Sequence, residues 1–228
     1  MSGTPRDEGR VALIDKPLRW TSFDVVKKVK RASRIKKVGH AGTLDPLATG
    51  LLIVCTGKMT KQISRFQDLE KEYTGVMEIG KTTPSIDLET EFDSQVGYSG
   101  VSAEQALETA KKFQGWIEQT PPIYSAVKID GERSYNMARK GESPEIKARR
   151  VHIILFELTR IVLPEISFRL ICSKGTYVRS LVRDFGKELG VGAYLKELRR
   201  VRIGNFHVSQ AVEASQINLL FNEDLSRH

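Results

Sequence analysis

The segment GHAGTLDPLATG, residues 39–50, followed at once by LLIVC, residues 51–55, decides how this chain folds. The first part carries Gly39, Gly42, Pro46 and Gly50 and is too rich in chain-breaking residues for regular structure, so it reads as a loop. The second part is a short apolar run, the pattern of a buried strand. One acid stands in the loop, Asp45, with Pro46 after it. Asp-Pro is also how a helix begins, with Asp at the N-cap and Pro in the first turn. The loop adds His40 and Thr43, and its glycines let a backbone approach a ligand closely. A carboxylate on such a rim is open to three roles: base, metal ligand or nucleophile. No second acid lies close in sequence, which disfavours a metal pair.

Working outward, Ser22 caps a predicted helix whose apolar side is Val25, Val26, Val29 and Ala32. Lys27, Lys30, Arg31 and Arg34 repeat at helical spacing on its solvent side. A helix is expected from about Thr60 and a strand over 73–79. Ser102-Ala-Glu-Gln105 is a capping-box pattern that opens a helix through Leu107, Ala110 and Phe113, ended by Gly115. Further strands are predicted over 123–129, 151–158 and 166–172. A helix over 177–189 is closed by Gly190, and a last strand over 201–208 leads to a short helical tail. Strands and helices intermix without regular βαβ alternation, so the expected class is α+β with a mixed, largely antiparallel sheet flanked by helices.

At 228 residues the chain can bury one large domain, or one domain with an insertion. Hydrophobic residues at 40% and charged residues at 28% are the balance of a soluble globular protein. The apolar run 51–55 is too short for a bilayer and the polar N-terminus is no signal peptide, so the expected location is cytoplasmic, with no membrane partner. The net charge of +8 points to a polyanion. Its placement says more: Lys27, Lys28, Lys30, Arg31, Arg34, Lys36 and Lys37 crowd one stretch, and Lys196, Arg199, Arg200 and Arg202 another. Both clusters are candidates for phosphate contacts. Cys55 and Cys172 each end an apolar stretch and read as reduced core thiols, with no Cys/His spacing for zinc.

The segment around Asp45 resembles the catalytic motif of the TruB family, the bacterial synthases of pseudouridine at position 55 of tRNA. DKPLRWTS (15–22) is similar to that family's Lys-Pro motif, and EKEYTG (70–75) to its Tyr segment. FQGWIEQTPPIYSAVKIDGERSYNMARKG (113–141) is similar to its long central signature, KGTYVRSLVRDFG (174–186) to its Arg motif and LKELRRVRIGNF (195–206) to its last catalytic segment. The resemblance runs from about Ala12 to Val212 and implies a pseudouridine-synthase fold. It also implies isomerisation of a T-loop uridine without cofactor or metal.

It further implies that Asp45 is the nucleophile and that Arg179 pairs with it and keeps it charged. Tyr73 would stack on the flipped base. Leu198, in a stretch read as helical, and Tyr177 would wall the pocket. His40 would support the flipped nucleotide at the mouth, and Lys16 and Pro17 would brace the pocket. Arg19 stands where the family has Gly, which places the local turn in question. Arg19, Lys27, Lys30, Arg34, Lys147, Arg149, Arg150, Arg199 and Arg200 are the candidate phosphate contacts.

The expected organisation is a loose start over 1–10 and a catalytic domain over 11–212, with a thumb-like insertion around 129–150. A tail over 213–228 is too short for the PUA-type RNA-binding domain of longer members. The expected partner is the T-arm stem-loop of tRNA, bound by a monomer without guide RNA. Two rivals stand beside this: the guide-RNA-dependent relative, disfavoured because it needs the PUA-type domain, and a non-catalytic RNA-binding or RNA-folding module. Binding alone would not require Asp45, Tyr73 and Arg179 together.

Overall fold

The computed structural model describes residues 9–125, 128–129, 132–140 and 146–222. The chain falls into two compact units, residues 1–73 with 198–228 and residues 74–197. Parts of the expected loose start, the thumb-like insertion and the tail lie outside the described residues.

In the first unit β1 (Val11–Lys16) leads to α1 (Ser22–Ser33), then β2 (Val38–His40) and β3 (Ala48–Thr56). A 3-10 segment and α2 (Ile63–Asp68) precede β4 (Lys71–Ile79), within which the chain passes into the second unit. α1 begins one residue earlier than a Ser22 cap implies. Thr21 is the N-cap and makes a capping box with Asp24, while Ser22 is buried. Val25, Val26 and Val29 face the core and Lys27, Lys30 and Arg31 face out.

β3 is apolar because both its faces are covered. Leu52 and Val54 join Ile14, Val25 and Val29 on one side, and Leu51, Ile53 and Cys55 join Ile203 on the other. The loop before it is shorter than the glycines imply. Gly39 and His40 pair with Cys55 and Val54, and Gly50 pairs with Lys16, leaving 41–47 outside strands. No helix starts at Asp45; a turn there runs straight into β3.

In the second unit the short pair β5 (Lys81–Thr82) and β6 (Ser94–Gln95) precedes α3 (Ala103–Lys111), which has the expected Ser102–Gln105 capping box. Leu107 is exposed, and the buried face is Ala106, Thr109 and Ala110. Gly115 does not merely end this helix: at φ 91° it opens an edge strand, β7 (Gly115–Gln119). Of the strand expected over 123–129, residues 123–125 form a bend and β8 (Lys128–Ile129) pairs with β9 (Glu132–Arg133) ahead of α4 (Ser134–Arg139); residues 126–127 lie outside the described ones.

β10 (Arg149–Val162) and β11 (Glu165–Cys172) form the long hairpin, followed by α5 (Val178–Glu188) and β12 (Ala193–Ile203). The strand order in this unit is β4-β11-β10-β7. Phe113, Phe156, Phe168 and Phe185 meet edge to face or tilted in its core.

β12 returns the chain to the first unit, where β13 (Phe206–His207), β14 (Val212–Glu213) and α6 (Leu219–Asn222) complete it. Leu198 and the arginines after it therefore sit on a strand, not a helix. The order is β14-β1-β3-β12, with β1/β14 and β3/β12 parallel and β1/β3, β2/β3 and β12/β13 antiparallel. The fold is α+β with a mostly antiparallel sheet. Both cysteines are free and buried, and burial pushes the Cys55 thiol up to about 11. Among the described residues no helix is long and apolar enough to cross a membrane.

Candidate functional site

In the first unit the loop bearing Asp45 is pinned on both sides of that residue. On one side the Ser22 hydroxyl accepts from the Leu44 N–H at 2.9 Å and donates to the Leu44 carbonyl at 3.2 Å. On the other, the Pro46 carbonyl accepts from the Arg19 N–H at 2.8 Å and from Lys16 Nζ at 3.4 Å. The turn closes with the Ala48 N–H on the Asp45 carbonyl at 3.0 Å.

Lys16 is fully buried and also donates to the carbonyls of Trp20 at 2.6 Å and Pro17 at 3.0 Å. It laces the 17–20 turn to the Asp45 loop. Burial pushes its ammonium down to about 8; the Asp45 carboxylate pulls it up and the Arg200 charge pushes it further down. Asp45 is half-buried.

Arg200, expected from the sequence to contact phosphate, is instead a core residue. It is 1% exposed, and its Nε donates to the Leu51 carbonyl at 2.7 Å and its Nη2 to the Gly42 carbonyl at 3.1 Å. The glycines of the loop serve this residue, not only a ligand. A Cβ on Gly50 would meet the Arg200 carbonyl oxygen at 2.2 Å, and one on Gly42 would stand 3.6 Å from Arg200 Nη1.

His40 lies in β2 beside this group, with Nδ1 buried and without a hydrogen-bond partner among the described residues. Burial first, then the Arg200 charge, lowers its pKa and favours the neutral ring, while a hydrogen bond with the Gly42 backbone acts the other way. Tyr73 is buried in β4. Leu198 is half-buried opposite Ala48, and its carbonyl accepts from Thr49 Oγ1 at 3.4 Å.

In the second unit Arg179 sits in the first turn of α5, 4% exposed. Its Nη1 donates to the Ser85 carbonyl at 3.0 Å and its Nη2 to the Tyr124 carbonyl at 2.9 Å, while Nε lies 3.7 Å from the Asp87 carboxylate. The turn that presents Ser85 and Asp87 is strained: Ile86, β-branched and buried, holds φ 64°. The hydroxyls of Thr83 and Ser85 both donate to the Asp87 carbonyl. Tyr177 is the N-cap residue of α5, its N–H bound to Gln119 Oε1 at 2.7 Å and its ring under the Arg149 guanidinium at 4.8 Å.

Ser22, read from sequence only as a helix cap, and Asp87 and Gln119 were not among the candidate site residues. Each acts on a partner far along the chain; Ser22 lies inside the DKPLRWTS motif and Gln119 inside the 113–141 signature, while Asp87 lies in none of the quoted motifs.

The other basic candidates divide. Lys30, Arg34 and Lys147 are exposed, and Arg34 ends α1 at φ 57°. Lys27 is exposed, 3.6 Å from Asp24 and over the Phe23 ring. Arg150 is exposed and lies over the Trp116 ring. Arg199 is half-exposed and grips Asp15 with two nitrogens, at 2.6 and 3.1 Å. That pair borders an open cleft of about 490 Å³ in the first unit, also lined by Lys16, Trp20, Lys28 and Glu213.

The family model for TruB family pseudouridylate synthase, N-terminal domain, matches residues 30–178. That for the tRNA pseudouridylate synthase B C-terminal domain matches 179–226. The chain is 53% identical to the tRNA pseudouridine synthase B of Flavobacterium johnsoniae, covering 97% of this chain and 99% of that one. It is 49% identical to the protein of the same name from Phocaeicola vulgatus, covering 90% of each. Among solved structures, the crystal structure of a Cbf5-Nop10-Gar1 complex is similar at TM-score 0.74 and 29% identity. That match covers 98% of this chain and 58% of the other, so the chain spans little more than half of that protein's length.

Proposed function

Because the chain belongs to the TruB family of pseudouridylate synthases, we propose that it isomerises the uridine at position 55 in the T-loop of tRNA to pseudouridine, with Asp45 as nucleophile. The reaction breaks the bond between ribose C1′ and base N1 and joins C1′ to C5 instead. C5 gives up a proton and N1 takes one, so nothing is oxidised and no group is imported. While the base is loose, a covalent carboxylate can hold the reacting partners. The target base must leave the stack to be reached.

The observation that carries the assignment is the double pinning of the loop at Leu44 and Pro46, with Asp45 between them. A nucleophile held this way loses little further freedom on attack. Tyr73 and Leu198 are proposed to contact the base, and His40 to support the flipped nucleotide at the mouth of the pocket. Within the second unit, Arg179 and Tyr177 are proposed as substrate-binding residues. Lys16 and Pro17 brace the loop. The exposed Arg19, Lys27, Lys30, Arg34, Lys147 and Arg150 supply phosphate contacts. The enzyme is proposed to act alone, without guide RNA.

The test is to incubate the purified protein with an unmodified tRNA transcript and map pseudouridine along it, with Asp45→Asn as control. Pseudouridine at position 55 with wild type and none with Asp45→Asn is the expected result. Modification elsewhere overturns the site, and an active Asp45→Asn overturns the nucleophile.

A further inference from the structure

Arg200 is an expensive residue to bury. Removing a guanidinium from water costs several kcal/mol unless its geometry returns the loss, and an apolar side chain of similar volume is often as stabilising. Here the charge is 1% exposed, and its donors go to the carbonyls of Gly42 and Leu51. Those two carbonyls stand at the two ends of the segment that carries Asp45. Both ends are built to receive it. Gly42 and Gly50 hold φ 97° and 102°, conformations an L side chain rarely adopts, and backbone of Arg200 lies against Gly50 closer than any Cβ would allow. Lys16 meets the same loop at Pro46.

We propose that Arg200 is a positioning residue for the reaction: its planar guanidinium ties the two ends of the Asp45 loop at Gly42 and Leu51 and sets where the carboxylate stands. This rests on Asp45 being the nucleophile. The geometry is specific to arginine, because two donors in a fixed fork reach two carbonyls at once, whereas an ammonium on a flexible stem does not hold both in one plane.

The experiment uses the full chain carrying Arg200→Lys and, separately, Arg200→Gln. For each, the melting temperature, the affinity for unmodified tRNA and the single-turnover rate at saturating enzyme are measured. Spectra of 15N-glycine-labelled protein without RNA follow the amides of Gly42 and Gly50. In Arg200→Lys the rate should fall about a hundredfold, as expected for a reacting group displaced by about an ångström. Affinity should stay within about threefold, the split that marks loss of a transition-state arrangement and not of binding. The Gly42 and Gly50 amides should shift while those of Gly186 and Gly190 in the second unit hold.

A rate within about threefold of wild type would overturn the proposal, because charge alone would then suffice. So would an equal loss of affinity, or unfolding of both variants, which would leave Arg200 a stabilising residue only. The glycine spectra do not depend on turnover. If wild type made no pseudouridine, the functional assignment would fail while the clamp was still tested.

Discussion

Gly50 and Arg200 touch backbone to backbone across the parallel β3/β12 pairing. A Cβ built on Gly50 would stand 2.2 Å from the Arg200 carbonyl oxygen and 2.7 Å from its nitrogen. No real Cβ contact is that short. Gly50 also holds φ 102°. Gly50→Ala should therefore destabilise the protein by more than about 3 kcal/mol, since it combines a clash against backbone with a conformation closed to alanine. Gly42→Ala meets only a side-chain nitrogen at 3.6 Å and should cost about 1–2 kcal/mol, from its φ of 97° alone. Urea unfolding of the two variants measures the difference. Equal costs would mean that strain, not the Arg200 contact, selects glycine at both positions.

Arg179→Lys should be severely slow in single turnover although the charge is kept. The guanidinium reaches the Ser85 and Tyr124 carbonyls at 3.0 and 2.9 Å and faces Asp87 at 3.7 Å. A lysine at a buried first-turn position cannot satisfy those three directions together. We expect a loss of about a hundredfold or more, with RNA affinity changed far less. A near-normal rate would show that positive charge alone is needed there.

The arginines of β12 show what sequence could and could not reveal. The amphipathic period of α1, the apolar run of β3 and the caps at Ser102 and Gly190 are local patterns, and they appear where they were expected. Lys196, Arg199, Arg200 and Arg202 read as one basic cluster because the sequence shows only that they lie close along the chain. On a strand, neighbours point to opposite faces. Arg199 thus grips Asp15 while its neighbour Arg200 enters the core; Arg202, for which alternation alone gives no reason, pairs with Glu70 and Glu72. Which arginine is buried depends on strand pairings between segments far apart in the chain. The same holds for Asp87, whose relation to Arg179 exists only once the strained turn at Ile86 has formed. The Asp45 loop was legible as a candidate site but not its supports, because carbonyl partners such as Gly42 and Leu51 carry no side-chain signature.

Lys16 gives a pH dependence with a definite sign. Its pKa is about 8 in the folded protein against 10.5 for an ordinary lysine, chiefly because burial disfavours the ammonium. Between those values the folded chain holds fewer protons than the unfolded one, so this group makes stability rise as pH climbs from about 8 to 10.5. Lys16→Met removes that contribution together with the bonds to Pro17, Trp20 and Pro46. The melting-temperature gap between wild type and Lys16→Met, taken as wild type minus variant, should therefore widen in favour of wild type across that window. Paired melting curves from pH 7.5 to 10.5 check it, and a gap that stays flat would mean Lys16 titrates outside the window.

Arg19 occupies a left-handed conformation, φ 66°, that costs a residue with a Cβ about 1–2 kcal/mol. Its backbone earns part of this back through the N–H bond to Pro46 at 2.8 Å, but glycine would make the same bond without the strain. The side chain is exposed, and among the described residues it has no hydrogen-bond or ion-pair partner. No side-chain contact among the described residues offsets the strain, whereas one to an RNA phosphate would. The exposed Lys27 and Lys30 on α1 and Arg34 at its C-cap belong to the same unit and are further proposed phosphate contacts. Arg19→Gly should raise the melting temperature slightly, weaken tRNA binding and lower the slope of log affinity against log salt by about one. Titrations at several salt concentrations, with a melting curve alongside, separate the two parts. An unchanged slope with unchanged affinity would sink the phosphate contact, and a lower melting temperature would show that the arginine itself, not its backbone, stabilises the turn.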